Sequence, residues 1–203
     1  MFVQIIQGQT NDAAGVHRLI DRWATELGPS ATGWMGTTAG VTDDGQLLAA
    51  VRFDSEENAR NNSERDEQGA WYAEFVKHLD SEPTFHNCPE VEPFLQGGSD
   101  DAGFVQVIQG KVTDVDRARE LDRETQDQMN DVRPDVIGGV VAWHPQDGRF
   151  TNAMYFTSEA EARAKEQETS NAPEFEEYMR QWQAIADGDP KFLDIAEPWY
   201  ASK

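Results

Sequence analysis

The sequence contains very little cysteine. Cys88 is the one cysteine among 203 residues, so the chain can form no internal disulfide and no cluster of thiolate ligands around a metal. Proteins without disulfides are the norm in reducing compartments. The sequence after Met1 also lacks the basic segment and apolar run of a secretory signal. These features together favour a cytoplasmic protein.

Basic residues are scarce as well. The chain has 17 Lys and Arg but 38 Asp and Glu, which gives a formal net charge of −21. Nucleic acids and anionic membrane surfaces would repel such a chain, so we expect neither as a partner. The longest apolar run, residues 136–143, has 8 residues, whereas a membrane-spanning helix needs about 20. Six Trp, ten Phe and four Tyr are enough for an ordered core and exclude a disordered chain.

The common catalytic and phosphate-binding motifs are missing. The sequence has no Walker-type phosphate loop, no Gly-x-Gly-x-x-Gly and no Gly-x-Ser-x-Gly nucleophile elbow. His17, His86 and His144 have no carboxylate or cysteine at metal-ligand spacing. We therefore expect no metal site, and no cofactor is evident.

The most informative feature is an internal repeat. Residues 2–8, Phe-Val-Gln-Ile-Ile-Gln-Gly, recur at residues 104–110 with six of seven positions identical. The offset of 102 then becomes 103, since residues 53–56 match residues 156–159. Repeats of about 100 residues are the size of small domains. The sequence thus predicts a first domain over 1–95, a linker rich in glycine and aspartate over 96–103 and a second domain over 104–203.

Each repeat predicts the order β-α-β-β-α-β. Residues 2–7 and 104–109 are strand-like, and Val16, Leu19, Ile20 and Trp23 follow at helical spacing. Two further strands form a hairpin in each repeat, and helical segments and a last extended stretch, 84–95 or 191–200, complete it. This order predicts an α+β protein with two tandem ferredoxin-like repeats, each a four-stranded antiparallel sheet with helices on one face.

The bare face of each predicted sheet is apolar. Two such units can cover these faces by packing sheet against sheet. Because both units lie in one chain, we expect an intramolecular pseudo-dimer.

The repeated motifs resemble the dimeric α+β barrel superfamily, specifically its antibiotic biosynthesis monooxygenase-like family. The resemblance rests on the opening strand, on the hairpins around Gly45 and Gly148, and on the pattern Phe-x-Ser-x-x-x-Ala-Arg at 53–60 and 156–163. It spans nearly the whole chain, twice. The superfamily includes cofactor-free oxygenases of polycyclic aromatics, haem-degrading monooxygenases and proteins without known activity. The resemblance alone therefore leaves the function open.

The haem-degrading relatives suggest one set of candidates. In those enzymes, an amide side chain near the end of the first strand and a histidine on the last helix contribute to the haem pocket. Gln7 occupies roughly the amide position, although those enzymes carry Asn there, and His78 could be the haem ligand. The second repeat keeps the amide as Gln109 but has Gln181 in place of the histidine, so at most one repeat could bind haem in this way.

Polar and aromatic residues on the strands supply further candidates. Gln4 and Gln106 lie in the middle of apolar strand faces, so they either line a cavity or hydrogen-bond to each other. Trp34 alternates with Gly36, Thr38 and Gly40, and small residues beside a large ring leave room for a pocket. Trp34 could equally fill a gap in the core.

Three functions follow from these residues. The first is a protein that binds a small apolar or aromatic molecule in a cavity lined by Gln7, Trp34 and Trp71, with possible cofactor-independent monooxygenase activity and His78 as the proton acceptor. The second is a barrel that binds a ligand or a partner without turnover. The third is haem binding or degradation. A cavity that contains Trp34 or His78 would favour the first.

Overall fold

The computed structural model describes residues 1–144, 147–169 and 173–202, without the side chains of 127–132, 173 and 174. Within these residues the chain forms six α-helices and ten strands, and the strands form two five-stranded sheets. The predicted α+β class with two ferredoxin-like repeats is confirmed. No helix in this part of the chain is both long enough and apolar enough to span a membrane.

The elements of the first half are β1 (Phe2–Gln9), α1 (Ala13–Arg22), β2 (Trp34–Val41), β3 (Gln46–Phe53), α2 (Glu56–Ser63), α3 (Asp66–Phe75), β4 (Thr84–Cys88) and β5 (Glu90–Phe94). Those of the second half are β6 (Phe104–Lys111), α4 (Val115–Val132), β7 (Val136–His144), β8 (Arg149–Phe156), α5 (Glu159–Thr169), α6 (Pro173–Ile185), β9 (Lys191–Ile195) and β10 (Trp199–Ser202). A π-helical turn, Trp23–Leu27, continues α1, and a 3-10 turn, Val76–His78, follows α3.

The chain divides into two compact units. The first unit contains Met1–Val91 and Glu197–Lys203, and the second contains Glu92–Ala196. The strand order is β10-β2-β3-β1-β4 in the first unit and β5-β7-β8-β6-β9 in the second. The two sheets therefore have the same topology, and the packing of the repeats sheet to sheet stays a prediction.

Each sheet has one strand more than the four that the sequence predicted. The added strand is β10 beside β2 in the first sheet and β5 beside β7 in the second. The extended stretches 84–95 and 191–200, predicted as single segments, are each interrupted next to a proline, Pro89 or Pro198. Proline has no N–H to donate to a strand ladder and is therefore found at strand ends or on edge strands. The residues after each proline therefore leave the sheet of their own repeat and form an edge strand in the other sheet.

Gly97, in the predicted linker 96–103, lies against β7 of the second unit. A Cβ atom on Gly138 would come within 1.9 Å of the carbonyl oxygen of Gly97. Gly97 itself has a φ of +81°, which favours glycine. This close backbone contact requires glycine at position 138.

The core of the first unit lies between the sheet and its helices. Val16, Leu19 and Ile20 are buried on one face of α1, as their helical spacing predicted. The carboxylate of Asp12 caps this helix by accepting a hydrogen bond from the Gly15 N–H at 2.9 Å. Phe2 and Ile6 of β1 pack against the same cluster, as strand alternation requires.

Candidate functional site

A cavity of about 80 Å³ lies between the helices and the sheet of the first unit. Its wall combines apolar residues of α1, α3, β1 and β3 with a few polar side chains. It is lined by Gln4, Ile6, Ile20, Trp23, Ala24, Thr37, Ala49, Val51, Phe53, Ala59, Asn62, Ser63, Gln68, Trp71, Phe75 and Ala201. Ser63 is exposed, so the mouth opens beside the end of α2.

The π-helical turn after α1 forms one side of the cavity. The wider turn begins at Trp23, and Trp23 and Ala24 both line the cavity. The Trp23 ring meets Trp34 edge to face, with 5.0 Å between ring centroids. Its Nε1 donates a hydrogen bond to Oε1 of Gln68 at 2.6 Å. π-helical turns inside helices are frequent at functional sites because they redirect side chains locally.

The polar residues of the wall are the hydroxyl residues Thr37 and Ser63 and three amides, Gln4, Asn62 and Gln68. Oε1 of Gln68 also accepts a hydrogen bond from Nδ2 of Asn62 at 3.3 Å, and Nε2 of Gln4 donates to Oδ1 of Asn87 at 2.9 Å. Arg65 fixes the position of the Asn62 side chain, because Nη1 of Arg65 donates a hydrogen bond to Oδ1 of Asn62 at 2.9 Å. These bonds fix the orientation of the amides before any ligand binds.

Two further aromatic residues of the wall, Trp71 and Phe75, stack on each other. Trp71 stacks on Phe75 with 4.8 Å between ring centroids and 18° between ring planes. Nε1 of Trp71 donates a hydrogen bond to the carbonyl oxygen of Leu19 at 2.8 Å, which fixes the orientation of the indole. Among the described residues of the wall there is no ionisable side chain. The site therefore offers flat apolar surface and neutral hydrogen-bonding groups.

The structure brings together only part of the predicted site. Gln4 and Trp71 line the cavity, whereas Gln7, Trp34 and His78 do not. Trp34 is 3% exposed and packs behind the wall, where its Nε1 donates to Oγ1 of Thr37 at 3.2 Å. Gln7 lies on the face of β1 opposite Gln4 and Ile6.

The predicted alternation of Trp34 with Gly36, Thr38 and Gly40 is wrong. Trp34 pairs with Phe53 but Gly36 pairs with Arg52, so Met35 forms a β-bulge. One extra residue reverses the face of every residue that follows. Thr37 therefore shares the helix-covered face with Trp34, and Thr37 is the residue that lines the cavity.

His78 lies in the 3-10 turn after α3, close to the start of α1. Its Nδ1 is 2.7 Å from Oδ2 of Asp12. The hydrogen bond from His78 holds the pKa of the Asp12 carboxyl below its ordinary value. In this position His78 supports the N-terminal cap of α1, and its catalytic role stays a prediction.

Gln106 and Gln109 belong to the second unit. Nε2 of Gln106 donates to Oδ1 of Asp194 at 3.0 Å, and Nε2 of Gln109 donates to Oγ1 of Thr151 at 3.1 Å. Gln4 and Gln106 thus each donate to a side chain on the neighbouring edge strand of their own sheet. They occupy equivalent positions, but Gln4 alone borders the cavity described above.

The sequence did not single out Trp23, Thr37, Asn62 or Gln68 as site residues. The hairpin register could have identified Thr37, because Gln4 and Thr37 both pair with Val51. Asn62 and Gln68 flank the break between α2 and α3, and only the packing of these two short helices places them beside Trp23. No local pattern in the sequence marks that arrangement.

The residues around His78 do not fit haem. The histidine does not line the cavity, and a volume of about 80 Å³ is far below the 300 Å³ or more of ordinary cofactor pockets. A Cβ on Gly15 would lie 2.3 Å from Nδ1 of His78, so helix α1 already packs against this ring. Among the described residues, no three His, Cys, Asp or Glu side chains are grouped as metal ligands.

Solved structures share this fold along the whole chain. A proposed monooxygenase from Fusobacterium nucleatum has a TM-score of 0.78 and 8% sequence identity, over 100% of this chain and 94% of that one. An anthrone oxidase-like protein has a TM-score of 0.68 and 15% identity, over 100% and 94%. The chain has the fold of the antibiotic biosynthesis monooxygenase-like proteins.

A ferredoxin-fold protein from Listeria monocytogenes, described as related to antibiotic biosynthesis monooxygenases, matches this fold with a TM-score of 0.50 and 13% identity, over 100% of this chain and 95% of that one. No family model matches the sequence, and no curated protein matches it. At such low identities the similarity establishes the fold that the sequence motifs predicted. It does not establish an activity.

Proposed function

We propose that the first unit binds a small, uncharged aromatic molecule in its cavity and oxidises it with O₂ without a cofactor. The observation that carries the proposal is the composition of the wall. The wall combines indole and phenyl rings with amides that are already hydrogen-bonded, and its described residues carry no charge. A charged ligand would lose its hydration in such a site without compensation.

The amides favour a ligand that carries a carbonyl oxygen. A side-chain amide has two N–H groups, and Gln4 and Asn62 each donate one of them to another described residue. The second N–H of each can donate to a ligand oxygen inside or at the mouth of the cavity. The volume of about 80 Å³ is smaller than the roughly 150 Å³ of an apolar cavity that binds benzene. It can therefore enclose part of one ring, while the remainder reaches the mouth near Ser63.

Oxidation without a base in the wall needs a substrate that loses its proton easily. Anthrone is such a molecule, because its CH₂ group enolises to an electron-rich phenolate that can reduce O₂. One oxygen atom of O₂ then becomes the new ketone oxygen of anthraquinone, and the other leaves as water with the two hydrogens of the CH₂ group. The N–H groups of Gln4 and Asn62 would stabilise the oxyanion. The similarity in fold to an anthrone oxidase-like protein supports anthrone as the test compound.

The binding prediction uses acetophenone, an uncharged aromatic ketone, as the probe. Ala49 lines the cavity and is 4% exposed, so Ala49→Phe places a phenyl ring in the space that the ligand needs. We expect this variant to bind acetophenone at least ten times more weakly than the wild-type protein in a calorimetric titration. Ala70→Phe adds the same ring at an exposed position of α3 and is expected to bind like the wild type. Equal affinities of Ala49→Phe and the wild type would contradict the proposed location.

Turnover is measured separately, with anthrone and an oxygen electrode. We expect one O₂ consumed for each anthraquinone formed, at a rate above that of anthrone alone and lost in Ala49→Phe. A catalytic role of His78 requires that His78→Ala lose this activity while it still binds acetophenone.

The lack of an ionisable group in the described wall also favours a second candidate, binding without turnover. Acetophenone binding that Ala49→Phe abolishes, together with anthrone oxidation no faster than without protein, would support this candidate and contradict the oxygenase.

A further inference from the structure

The orientation of the Gln68 amide in the cavity wall is fixed by its hydrogen bond to an indole. Oε1 of Gln68 accepts a hydrogen bond from Nε1 of Trp23 at 2.6 Å. An indole Nε1 carries one hydrogen and can only donate. The oxygen of the Gln68 amide must therefore lie toward Trp23, and its NH₂ group must point away from that ring.

The neighbouring amide, Asn62, is oriented in the same way. A guanidinium group has no acceptor, so the hydrogen bond from Nη1 of Arg65 at 2.9 Å requires the oxygen of the Asn62 amide. Nδ2 of Asn62 then donates to Oε1 of Gln68 at 3.3 Å. Arg65 is held by two further bonds, because its Nη2 donates to Oγ of Ser30 at 2.7 Å and to Oε1 of Glu67 at 2.9 Å. The hydrogen bonds thus run in one direction, from Arg65 through Asn62 to Gln68.

Gln68 is left with free donors and no free acceptor. A carbonyl oxygen has two lone pairs, and Oε1 of Gln68 uses both of them, for Trp23 and Asn62. The two N–H groups on Nε2 of Gln68 have no hydrogen-bond partner among the described residues. Nε2 is also not fully buried, so an atom of a ligand can reach it. Since Gln68, Trp23 and Asn62 all line the cavity, this part of the wall offers hydrogen-bond donors to a ligand.

A group that only donates hydrogen bonds distinguishes a ketone from an alcohol. A ketone oxygen has no hydrogen and can accept from both N–H groups, whereas the O–H hydrogen of an alcohol would lose its bond to water and find no acceptor at Gln68. We propose that Gln68 determines the specificity of the cavity by selecting aromatic ketones over alcohols of the same shape. This inference rests on the proposed function, because it requires the ligand to occupy the cavity of the first unit.

The hydrogen bonds that Gln68 accepts also strengthen its donors. Hydrogen bonds in a chain polarise one another. The two bonds to Oε1 of Gln68 draw electrons toward that oxygen, and the chain that includes Asn62 begins at the positive charge of Arg65. The N–H groups of Gln68 are therefore better donors to a ligand oxygen than those of an amide in water.

The test compares acetophenone with 1-phenylethanol, which has a hydroxyl group in place of the ketone oxygen. Gln68→Glu keeps the shape of the side chain and an oxygen for Trp23 and Asn62, but a carboxylate oxygen replaces the NH₂ group. At pH 8 this carboxylate is ionised, so it repels the ketone oxygen and accepts a hydrogen bond from the alcohol. We expect the Kd of 1-phenylethanol divided by that of acetophenone to fall at least tenfold in this variant, in calorimetric titrations at constant salt.

Two further variants separate the role of Gln68 from the effect of an added charge. Gln183→Glu makes the same change at an exposed position of α6, and the ratio of the two Kd values should equal that of the wild type. Gln68→Met removes the donors without adding a charge, so the preference for the ketone should again be lost. Circular dichroism confirms that each variant is folded.

The role of Gln68 is overturned if the wild type binds the alcohol more tightly than the ketone, or if either variant at position 68 keeps the wild-type ratio. If acetophenone does not bind the wild type, or binds Ala49→Phe equally well, this proposal and the proposed function both fail. Acetophenone binding that is lost in Ala49→Phe, together with an unchanged ratio in Gln68→Glu, contradicts the role of Gln68 alone. The two proposals can therefore be distinguished.

Discussion

Replacement of Trp34 by alanine is expected to lower the free energy of unfolding by about 3–5 kcal/mol, the usual cost of removing a large buried aromatic side chain. Trp34 is 3% exposed, contacts the ring of Trp23 and donates a hydrogen bond to Thr37. Its loss would leave a hole behind the cavity wall and an unpaired hydroxyl on Thr37. Urea denaturation followed by circular dichroism measures the change.

The adjacent residue provides a matched control for this prediction. Met35 is 46% exposed at the β-bulge, so we expect Met35→Ala to change the stability by less than about 1 kcal/mol. If Trp34→Ala were as stable as the wild type and only lost acetophenone binding, Trp34 would be a ligand-binding residue after all. The pair of variants thus distinguishes the two roles that the sequence left open for this residue.

Asp122→Asn is expected to stabilise the protein at neutral pH but not in acid. Burial raises the pKa of the Asp122 carboxyl to about 7 in the folded state, against an ordinary value of 3.8. Between these values the folded wild type keeps a proton that the unfolded chain has lost, so its stability falls as the pH rises. The asparagine variant does not titrate at this position. The free energy of unfolding of the variant, relative to that of the wild type, should therefore rise from pH 4 to pH 7 and then stay constant. The total rise should be about 4 kcal/mol or less, because one pKa unit corresponds to 1.36 kcal/mol.

Denaturation curves of the two proteins at several pH values between 4 and 8 test this prediction. The net charge of −21 makes the stability of both proteins depend on pH, and the difference between them removes that shared part. For Asp116→Asn, the difference in free energy of unfolding from the wild type should not rise with pH, because the carboxylate of Asp116 is exposed. A constant difference between Asp122→Asn and the wild type from pH 4 to pH 8 would mean that Asp122 is ionised in the folded protein.

The strand and helix order could be read from the sequence because it depends on local periodicity. Alternating apolar residues in β1 and the helical spacing of Val16, Leu19 and Ile20 each leave a pattern within a few residues. The repeat supports this order further, because each pattern occurs twice in the chain at a nearly constant offset. The site was predicted less completely. Gln4 was recognised as a polar residue on an apolar strand face, and Trp71 was placed in the cavity, but no such signal marked Asn62 or Gln68.

The errors have specific structural causes. The β-bulge at Met35 shifted the face of every residue after Trp34, and sequence alternation alone does not reveal an inserted residue. Pro89 and Pro198 were visible in the sequence, but the destination of the strand that follows each one depends on a sheet edge formed by distant residues.

The sequence by itself determined the duplication, the α+β class, the acidity and the order of the elements, because each of these is a property of the residues or of their close neighbours along the chain. Only the tertiary structure decided that β5 and β10 are exchanged between the sheets and that Trp34 belongs to the core. These features depend on contacts between residues far apart in the chain, and the free energy of such contacts is set by burial and packing that no local pattern records.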